Sequence, residues 1–424
     1  MFGLKKSVIL LVFITLFAFG IRTYRFTEPG HYYFDEVYHA VTAKAYADNN
    51  SAAYDPFAPP PQQGTAYDWL HPPLAKLIQA ASIKTFGNNS FGWRLPSVLF
   101  GTAIVPATFV LAYLLFGSTT AVFAAAVISL ENLNLVMSRI TMNDVFVTFF
   151  ILLSFIFFKI YRDNKKYRYL IYTGISLGLA AAMKWTGFYA IGTIFLFELF
   201  LDFVEKQYSL KSLVLVIIPP IIYLLAFSQF WIQGHTIQDF VNLNKQIWWY
   251  QNRHDLEHSY ATTPLYCVPH GLNAAKQFCP WILDVRGVYF SYEPYSEKAG
   301  YIYALGNPLI FWAGVISASY FLGQIVERKK FNYLLVAAGY FAFWVPWIFS
   351  PRIMFLYHYL PAIPFMTIII GYSLNELYKT KYKILSVFIL ISFALVFFYL
   401  YPISTGFPIK ISDIDHYMWL KTWR

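Results

Sequence analysis

The sequence predicts an all-α protein that crosses a membrane about eleven times. Hydrophobic residues make up 58% of the 424 positions and charged residues only 13%, whereas soluble domains carry roughly 25% charged residues. The mean hydropathy is +0.48. Apolar runs of about 20 residues, long enough for a helix to cross the hydrocarbon core, recur through most of the chain. These observations place the chain in the membrane class, with the lipid bilayer as a partner.

The positive charge of the chain indicates membrane topology rather than nucleic-acid binding. The formal net charge is +10, but a nucleic-acid-binding protein needs a basic stripe on a solvated face. Here the basic residues stand in short breaks between apolar runs, so no nucleic-acid partner is expected. The aromatic fraction of 21% suits lipid-facing surfaces with Trp and Tyr at both membrane interfaces.

The first apolar run, 7–20, follows Lys5 and Lys6. It could be the apolar region of a signal peptide, but no small-x-small cleavage pattern follows it and further apolar runs come later, so an anchor helix is favoured. The further runs of spanning length are 95–116, 119–136, 145–161, 169–184, 187–203, 212–231, 304–325, 333–349, 353–375 and 384–401.

Basic clusters alternate along these runs and predict the orientation of a multi-pass protein in the cell membrane. When the predicted helices are threaded through a bilayer, one side receives the clusters at 5–6, 162–168, 206–211, 328–330 and 379–383. The positive-inside rule makes that side cytoplasmic. The N-terminus is therefore expected in the cytoplasm, and the segments 27–90, 137–144 and 232–303 are expected outside with the C-terminus.

These boundaries predict one transmembrane domain over 1–424. Its first external loop, 27–90, is rich in proline and should hold short interfacial helices rather than a span. The other large external loop is 232–303. A four-helix transmembrane part, 304–424, completes the domain.

Asp35 and Glu36 follow the first helix, in the predicted external loop. Adjacent carboxylates repel unless a cation, a metal or a substrate proton engages them, and at such pairs carboxylate pKa values diverge and general-base catalysis occurs. A solvated acidic turn at the interface would have the same sequence. The pair is a candidate catalytic site, although the dipeptide alone leaves both interpretations open.

His71 and Lys76 lie in the same loop, next to Pro72 and Pro73. Two prolines fix an extended backbone before a helix begins. That arrangement would hold both basic side chains near the membrane surface, where they could meet an anionic headgroup. A helix entry with an ordinary flanking histidine is the alternative.

Further charged residues lie at the predicted external ends of the spans. Arg94 opens the second span, where an arginine can also simply reach lipid headgroups. Arg139 and Asp144 stand between two spans. Lys184 lies in a short external hairpin, against the positive-inside pattern, and a charge in that position is a functional candidate by default.

Arg352 and His358 begin a later span on the same external side. Their spacing is not i,i+4, so no metal pair is suggested, but both could approach a phosphate. External cations near membrane depth together with two carboxylates suit a site that holds a lipid phosphate beside a general base.

Seven short motifs run through the chain in order. They are Phe-Asp-Glu-Val at 34–37, His-Pro-Pro-Leu-Ala-Lys at 71–76, Trp-Arg-Leu-Pro at 93–96, Arg139 with Asp144, Lys184-Trp185, Pro280-Trp281 through Arg286, and the Pro-Arg to Leu-Pro run at 351–361. Together they resemble the protein O-mannosyltransferases that use polyprenyl-phosphate-mannose, and they cover nearly the whole chain.

This resemblance implies an inverting glycosyltransferase of the GT-C fold, with about eleven transmembrane helices, external amphipathic loop helices and an external active site. It assigns the general base that deprotonates an acceptor Ser or Thr hydroxyl to Asp35, supported by Glu36, and it gives Arg94 a functional role. The implied partners are the donor lipid polyprenyl-phosphate-mannose and a secreted or membrane protein acceptor.

The other candidates are predicted to bind substrate. Charge and predicted sidedness assign His71, Lys76, Lys184 and Arg352 to the donor phosphate. No cofactor and no metal are expected, because Lys and Arg can stabilise the leaving phosphate themselves. The full predicted substrate-binding set is His71, Lys76, Arg94, Arg139, Asp144, Lys184, Arg286, Arg352 and His358.

The segment 232–303 departs from the family pattern in two ways. It is too short for the soluble MIR domain of the long eukaryotic members, so a compact prokaryotic-like form is expected. It also holds the only two cysteines, Cys267 and Cys279. Because a predicted external loop lies in an oxidising compartment, we expect a disulfide between them, with two free thiols as the alternative.

Two other functions are compatible with parts of the sequence. A GT-C transferase acting on a lipid or glycan, such as an aminoarabinose transferase, typically shows Lys-Pro-Pro where this chain has His71-Pro72-Pro73, which favours a protein acceptor. A transporter would predict inverted repeats and broken helices with buried charges. The sequence shows no such repeat, and its polar residues gather on one side.

Overall fold

The computed structural model describes residues 3–206, 210–255, 261–268 and 275–424. Helices dominate the described chain. They are α1 (Leu4–Thr23), α2 (Glu36–Ala47), α3 (Leu74–Phe86), α4 (Ser90–Phe116), α5 (Ser118–Ser129), α6 (Asn132–Met137), α7 (Asp144–Asn164), α8 (Tyr167–Met183), α9 (Thr186–Glu205), α10 (Val214–Ala226), α11 (Ser228–Ile232), α12 (Ile237–Gln251), α13 (Pro308–Arg328), α14 (Phe331–Phe341), α15 (Ile363–Tyr378), α16 (Lys383–Thr405) and α17 (Ile414–Tyr417).

Several of these helices can cross a bilayer, which confirms the prediction of an all-α polytopic membrane protein. Eight helical segments among the described residues are long and apolar enough: Leu4–Thr23, Ser90–Phe116, Asp144–Asn164, Thr186–Glu205, Pro308–Arg328, Phe331–Phe349, Leu356–Tyr378 and Lys383–Thr405. The last four lie in the predicted part 304–424.

The number of spans stays a prediction. The predicted spans 119–136, 169–184 and 212–231 coincide with shorter helices: Ser118–Ser129, the 17-residue α8, and Leu210–Ala226. At about 1.5 Å of rise per residue, 17 residues extend about 25 Å, less than the roughly 30 Å hydrocarbon core. Length alone therefore does not establish eleven crossings.

Two small antiparallel sheets were not predicted from the sequence. The first has the order β1-β2-β3 and the second β4-β5-β6, and the second contains a bulge between Tyr289 and Ser291. Aromatic and β-branched residues favour strands, and β4 reads Val-Tyr-Phe-Ser-Tyr-Glu-Pro-Tyr. The strands are β1 (Ala261–Thr262), β2 (Tyr266–Val268), β3 (Gln277–Phe278), β4 (Val288–Tyr295), β5 (Lys298–Ala304) and β6 (Ile409–Lys410).

The chain forms two compact units. The first unit comprises 1–29, 101–139 and 254–424. Within it α15 packs closely on α5, because a Cβ at Gly371 would lie only 2.8 Å from the Ala124 nitrogen and 2.9 Å from the Thr120 oxygen. Glycine thus permits a backbone approach that a larger residue would prevent.

The second unit comprises 30–100 and 140–253. Within it α8 approaches α10 at another glycine, since a Cβ at Gly178 would lie 2.6 Å from the Ile222 Cβ. The predicted single domain over 1–424 stays a prediction.

Two short helices in the second unit position the candidate site. Helix α2 begins after Asp35 and carries Glu36 in its first turn, where a carboxylate interacts favourably with the helix dipole. Helix α3 begins after Pro73 and ends at Gly87, whose φ of +90° is accessible to glycine. Ala40 and Ala43 of α2 pack against Ile83 of α3 in a small core.

Candidate active site

Three carboxylates of the second unit interact electrostatically with one another or with Asp35, and a fourth is adjacent to Asp35 in sequence. We call Asp35, Glu36, Asp68 and Asp144 the carboxylate cluster. Asp68 and Asp144 both act on the charge of Asp35, and Glu36 is its neighbour in sequence. Three of the four are almost completely buried, so each needs a cation or hydrogen bonds to remain charged.

Glu36 is neutralised by Arg94. The Arg94 Nε donates to Glu36 Oε1 and its Nη2 to Oε2, both at 2.8 Å, which is a bidentate pair. Neither residue is exposed. The Thr141 backbone N–H also donates to Glu36, at 3.1 Å, and Arg94 donates to the His31 carbonyl at 3.0 Å. In these contacts Arg94 holds the segment around Glu36; its predicted contact with substrate stays a prediction.

Asp68 is neutralised by Lys76. The Lys76 Nζ lies 2.8 Å from the Asp68 carboxylate, and it also donates to the carbonyls of Asp68 at 2.8 Å and His71 at 3.4 Å. The ammonium thus lies against one carboxylate and donates to two carbonyls. Burial raises the pKa of Asp68, but Lys76, His39 and His71 outweigh it and hold that pKa well below its ordinary value.

Asp144 pairs with Lys184 at 2.8 Å. Helices α7 and α8 are consecutive and joined by a short turn, so the start of α7 and the end of α8 lie at the same end of the pair. Asp144 is the first residue of α7. Lys184 follows α8 in an extended conformation, with φ −159° and ψ 146°. Lys184, which the sequence predicted to be external, thus has a buried acidic partner.

Asp35 differs from the rest of the carboxylate cluster. It is half-buried, and among the described residues its carboxylate has no ion-pair partner. Burial raises the pKa of Asp35 to about 6; His39 and Lys184 oppose this rise, while Asp68 and Asp144 add to it. A carboxylate with a pKa of about 6 is mostly ionised at neutral pH and is more basic than an ordinary aspartate, which suits a general base.

His39, Asp68 and His71 could in principle bind a metal. Their ligand atoms all lie within 4.8 Å of one another, and the set resembles a zinc site in chemistry. However, Lys76 already lies 2.8 Å from the carboxylate oxygen of Asp68 that faces His39. A divalent cation on that oxygen would be repelled by the ammonium. The arrangement therefore fits internal charge pairing better than a metal.

His71 is the remaining basic candidate of this unit. Burial lowers the pKa of His71 well below its ordinary value, opposed by Asp68. Its ring lies parallel to that of His39, with centroids 5.9 Å apart. A neutral imidazole can still donate one hydrogen bond to a phosphate oxygen.

Arg139 lies in the first unit and binds the main chain. Its guanidinium donates to the carbonyls of Arg22 at 3.0 Å and Tyr24 at 2.7 Å, and to those of Arg25 and Thr405 at longer distances. These contacts tie the end of α1 to the segment after α6. They describe a structural role, and the predicted role in substrate binding stays a prediction.

His358 lies against Trp281, also in the first unit. The two rings are nearly parallel with centroids 6.4 Å apart, and Trp281 donates from Nε1 to the Thr262 hydroxyl at 2.8 Å. The Thr262 N–H donates to the Met354 carbonyl at 2.8 Å. The motif at 280–286 and the run at 351–361 are therefore joined. Arg286 is buried and Arg352 is half-buried in these segments.

The two cysteines form a disulfide in the structure. Cys267 lies on β2 and Cys279 follows β3, and their Cα atoms are 5.5 Å apart. The antiparallel pairing of β2 with β3 places Cys267 opposite Gln277, close to the second cysteine. Part of the intervening segment, 269–274, lies outside the described residues.

We expect denatured, unreduced protein to resist alkylation at Cys267 and Cys279, and reduced protein to react at both. Closing a loop of this length stabilises a fold by roughly 3 kcal/mol. Labelling under denaturing conditions removes burial as a reason for protection, and mass spectrometry reads the modified peptides. Cys267→Ser is the control, because it should leave one reactive thiol without reduction. Two alkylated cysteines in unreduced wild-type protein would disprove the bond.

Sequence reasoning missed His39 and treated Asp68 only as a loop residue. His39 stands four positions after Asp35, and residues i and i+4 lie on the same face of a helix. That spacing was the available signal. The partnership of His39 with Asp68, at 2.9 Å across 29 positions of sequence, could not be read from spacing.

Two family descriptions together match nearly the whole chain. Residues 12–236 match dolichyl-phosphate-mannose-protein mannosyltransferase. Residues 236–423 match the C-terminal four-transmembrane region of protein O-mannosyltransferases. The second match covers the predicted four-helix part.

Curated relatives match over most of their length. The polyprenol-phosphate-mannose–protein mannosyltransferase of Corynebacterium glutamicum is 26% identical, over 84% of this chain and 81% of its own. The protein of the same name from Mycobacterium tuberculosis is 24% identical, over 94% of this chain and 88% of its own.

Solved structures share the fold. The Saccharomyces cerevisiae protein O-mannosyltransferase Pmt1-Pmt2 complex bound to the sugar donor matches with a TM-score of 0.70 at 16% identity, over 100% of this chain and 93% of that chain. ArnT from Cupriavidus metallidurans bound to undecaprenyl phosphate matches with a TM-score of 0.58 at 12% identity, over 96% and 76%. At these identities the likeness concerns the fold alone.

The chain is a membrane glycosyltransferase with the GT-C fold, as the sequence predicted. It belongs to the protein O-mannosyltransferase family, and the resemblance stated from its motifs is confirmed.

Proposed function

We propose that this protein transfers mannose from polyprenyl-phosphate-mannose to Ser or Thr hydroxyls of exported proteins, with inversion at the sugar carbon and with Asp35 as the general base. The names of the relatives support the donor and the protein acceptor. One structural observation carries the assignment of the base. Within the carboxylate cluster, Asp35 alone lacks an ion-pair partner among the described residues.

The chemistry needs a base because a Ser or Thr hydroxyl is a weak nucleophile at neutral pH. As the hydroxyl oxygen attacks C1 of mannose, its proton passes to the Asp35 carboxylate, which must lie within about 3 Å. The bond between C1 and the phosphate oxygen breaks, and the lipid monophosphate leaves with an additional negative charge. A single displacement of this kind inverts the configuration at C1.

The leaving phosphate needs a cation, and Lys184 is our choice in the second unit. Arg94 pairs with Glu36, Lys76 with Asp68 and Lys184 with Asp144, so the choice rests on proximity to the proposed base and not on a lack of partners. Lys184 acts on the charge of Asp35 and therefore stands near the proposed base. A fixed ammonium in a water-poor site stabilises developing phosphate charge more strongly than it would in water. His71, Arg286, Arg352 and His358 stay proposed substrate contacts on their charge and position in the motifs.

Lys184→Gln is expected to reduce kcat/KM for the donor roughly 10- to 100-fold, the cost of losing one charged hydrogen bond. Steady-state kinetics at varied donor and fixed peptide measure this. Lys84→Gln, at an exposed position of α3, is the matched control. Asp144→Asn removes the partner and keeps the cation; if it costs as much as Lys184→Gln, Lys184 acts through its pairing with Asp144 and the phosphate assignment is wrong.

The rate is expected to depend on the ionisation of Asp35. The base must be deprotonated, and its pKa is raised to about 6, so kcat should be nearly constant above about pH 7 and should fall about tenfold per unit well below pH 6. Turnover of the purified protein between about pH 5 and about pH 8 measures this profile. An acidic limb centred near the ordinary aspartate value, about 4, would contradict the proposed environment of the base.

We propose the topology on the distribution of basic clusters, with the N-terminus in the cytoplasm and both the site and the C-terminus outside. In this orientation the segments 27–90 and 232–303 meet exported acceptors. It also puts the disulfide loop in an oxidising compartment.

The decisive experiment offers purified protein labelled polyprenyl-phosphate-mannose with either a Ser/Thr peptide or a lipid or glycan acceptor. Label in the peptide, removable by β-elimination, is the expected result. Label in the lipid or glycan would support the alternative, an aminoarabinose-transferase-like activity. A protein that binds the donor but transfers to neither acceptor would disprove the proposed function.

A further inference from the structure

His39 is a buried titratable residue that lies next to a carboxylate. It is only 5% exposed, and its Nδ1 lies 2.9 Å from the Asp68 carboxylate. It stands one helical turn after Asp35, and its backbone N–H donates to the Asp35 carbonyl at 3.0 Å. Nothing in the proposed chemistry has yet used this side chain.

Asp68 is itself a rigid support. Its backbone N–H donates to the Thr42 hydroxyl on α2 at 2.7 Å. Lys76 of α3 binds both the carboxylate and the carbonyl of Asp68 at 2.8 Å. His39 and Thr42 are three residues apart, so they lie on one face of α2. Asp68 therefore contacts that face of α2 at His39 and at Thr42, and its pairing with Lys76 connects α2 to α3.

We propose that His39, held by Asp68, is a positioning residue for Asp35: it fixes the first turn of α2, directly after the base, and places an imidazole that favours the ionised carboxylate one turn away. This inference rests on the proposed role of Asp35 as the base. His39 does not touch the reacting atoms and acts only through Asp35.

Five titratable groups among the described residues interact electrostatically with Asp35. From α2 come His39 and Tyr38, from the loop before α3 comes Asp68, and from the adjoining ends of α7 and α8 come Asp144 and Lys184. Asp68 and Asp144 disfavour the ionised form of Asp35, and each already has its own lysine partner.

His39 and Lys184 are the two groups that favour ionised Asp35, and His39 has the larger effect. If Lys184 is drawn to the donor phosphate, as proposed, its influence on Asp35 is shared with that anion. His39 then remains as the group that opposes the rise in the pKa of Asp35 while the donor is bound. Asp35 immediately precedes the helix that carries His39, and the His39 N–H donates to the Asp35 carbonyl at 3.0 Å, so the two backbones hold a fixed separation.

The test uses His39→Asn, because an asparagine amide can still donate a hydrogen bond to Asp68 but cannot become charged. We expect the midpoint of the acidic limb of the kcat profile to move up by about one pH unit. Turnover at pH 6 should fall several-fold, turnover at pH 8 should approach the wild-type value, and KM for the donor should stay constant. A matched control is His416→Asn, at an exposed position in α17.

The possible outcomes distinguish a failure of the proposed role of His39 from a failure of the proposed mannosyl transfer. A purely structural His39 would lower kcat at every pH and leave the midpoint unchanged, and that result would overturn the proposal. If wild-type protein transfers no mannose, the proposed function fails before any variant is made. Should His39→Asn unfold, His39→Gln gives a second measurement of the same midpoint, and an unmoved midpoint there would equally reject the inference.

Discussion

Asp35→Asn is expected to abolish mannosyl transfer, with a loss of at least about 100-fold in kcat at pH 7. The amide keeps the shape of the carboxylate but cannot accept the hydroxyl proton, and general-base catalysis contributes roughly 10²- to 10⁴-fold. Because Asp35 has no ion-pair partner among the described residues, this substitution should leave the stability of the fold nearly unchanged. Transfer of labelled mannose to a peptide by purified protein measures the loss.

Asp48→Asn provides the control, because Asp48 caps the other end of α2, is exposed and pairs only with Lys44 among the contacts that the structure gives it. It should transfer mannose at the wild-type rate. Donor binding by Asp35→Asn, followed with labelled lipid in the absence of peptide, should persist. Turnover of purified Asp35→Asn within tenfold of wild type would refute the assignment of the base.

Breaking the pair between Glu36 and Arg94 is expected to destabilise the protein by about 3–5 kcal/mol, because each single substitution leaves one buried charge without its partner. Glu36→Gln and Arg94→Gln should therefore each lower the unfolding temperature in detergent. The double variant removes both charges and should be more stable than the sum of the single effects predicts.

The double-mutant cycle also tests what Arg94 does. If Arg94 holds the segment around Glu36, the double variant should regain stability while transfer stays low, because the neutral pair no longer fixes the backbone next to Asp35. The control is Arg168→Gln, at an exposed position of α8. Additive losses of stability in the double variant would show that the two side chains do not act as a pair.

The sequence predicted the membrane class and the acidic motif because both depend on local composition. An apolar run of spanning length has few other structural solutions, and the acidic motif at 34–37 gained its weight from the other family motifs that follow it in order. The number of membrane spans was harder to predict from the sequence. The segments at 119–136 and 212–231 are apolar, yet their helices are shorter than the runs, and hydropathy does not determine where a helix ends.

Ion pairing could not be predicted, because it joins distant parts of the chain. Arg94 meets Glu36 across 58 positions and Lys184 meets Asp144 across 40. From the sequence every external cation looked available for phosphate. The structure instead pairs them with carboxylates: Lys76 with Asp68, Arg94 with Glu36 and Lys184 with Asp144. Charge alone identified the candidates but could not rank them.

The interleaved arrangement of the two units has a consequence for biosynthesis. The second unit ends at residue 253, so all four members of the carboxylate cluster and the partners Lys76, Arg94 and Lys184 have been synthesised before the last stretch of the first unit, 254–424, leaves the ribosome. Domains generally fold as their sequence becomes available during translation. The surroundings of Asp35 can therefore assemble in the nascent chain, whereas the first unit has to wait, with 1–29 and 101–139 already inserted, for its final helices.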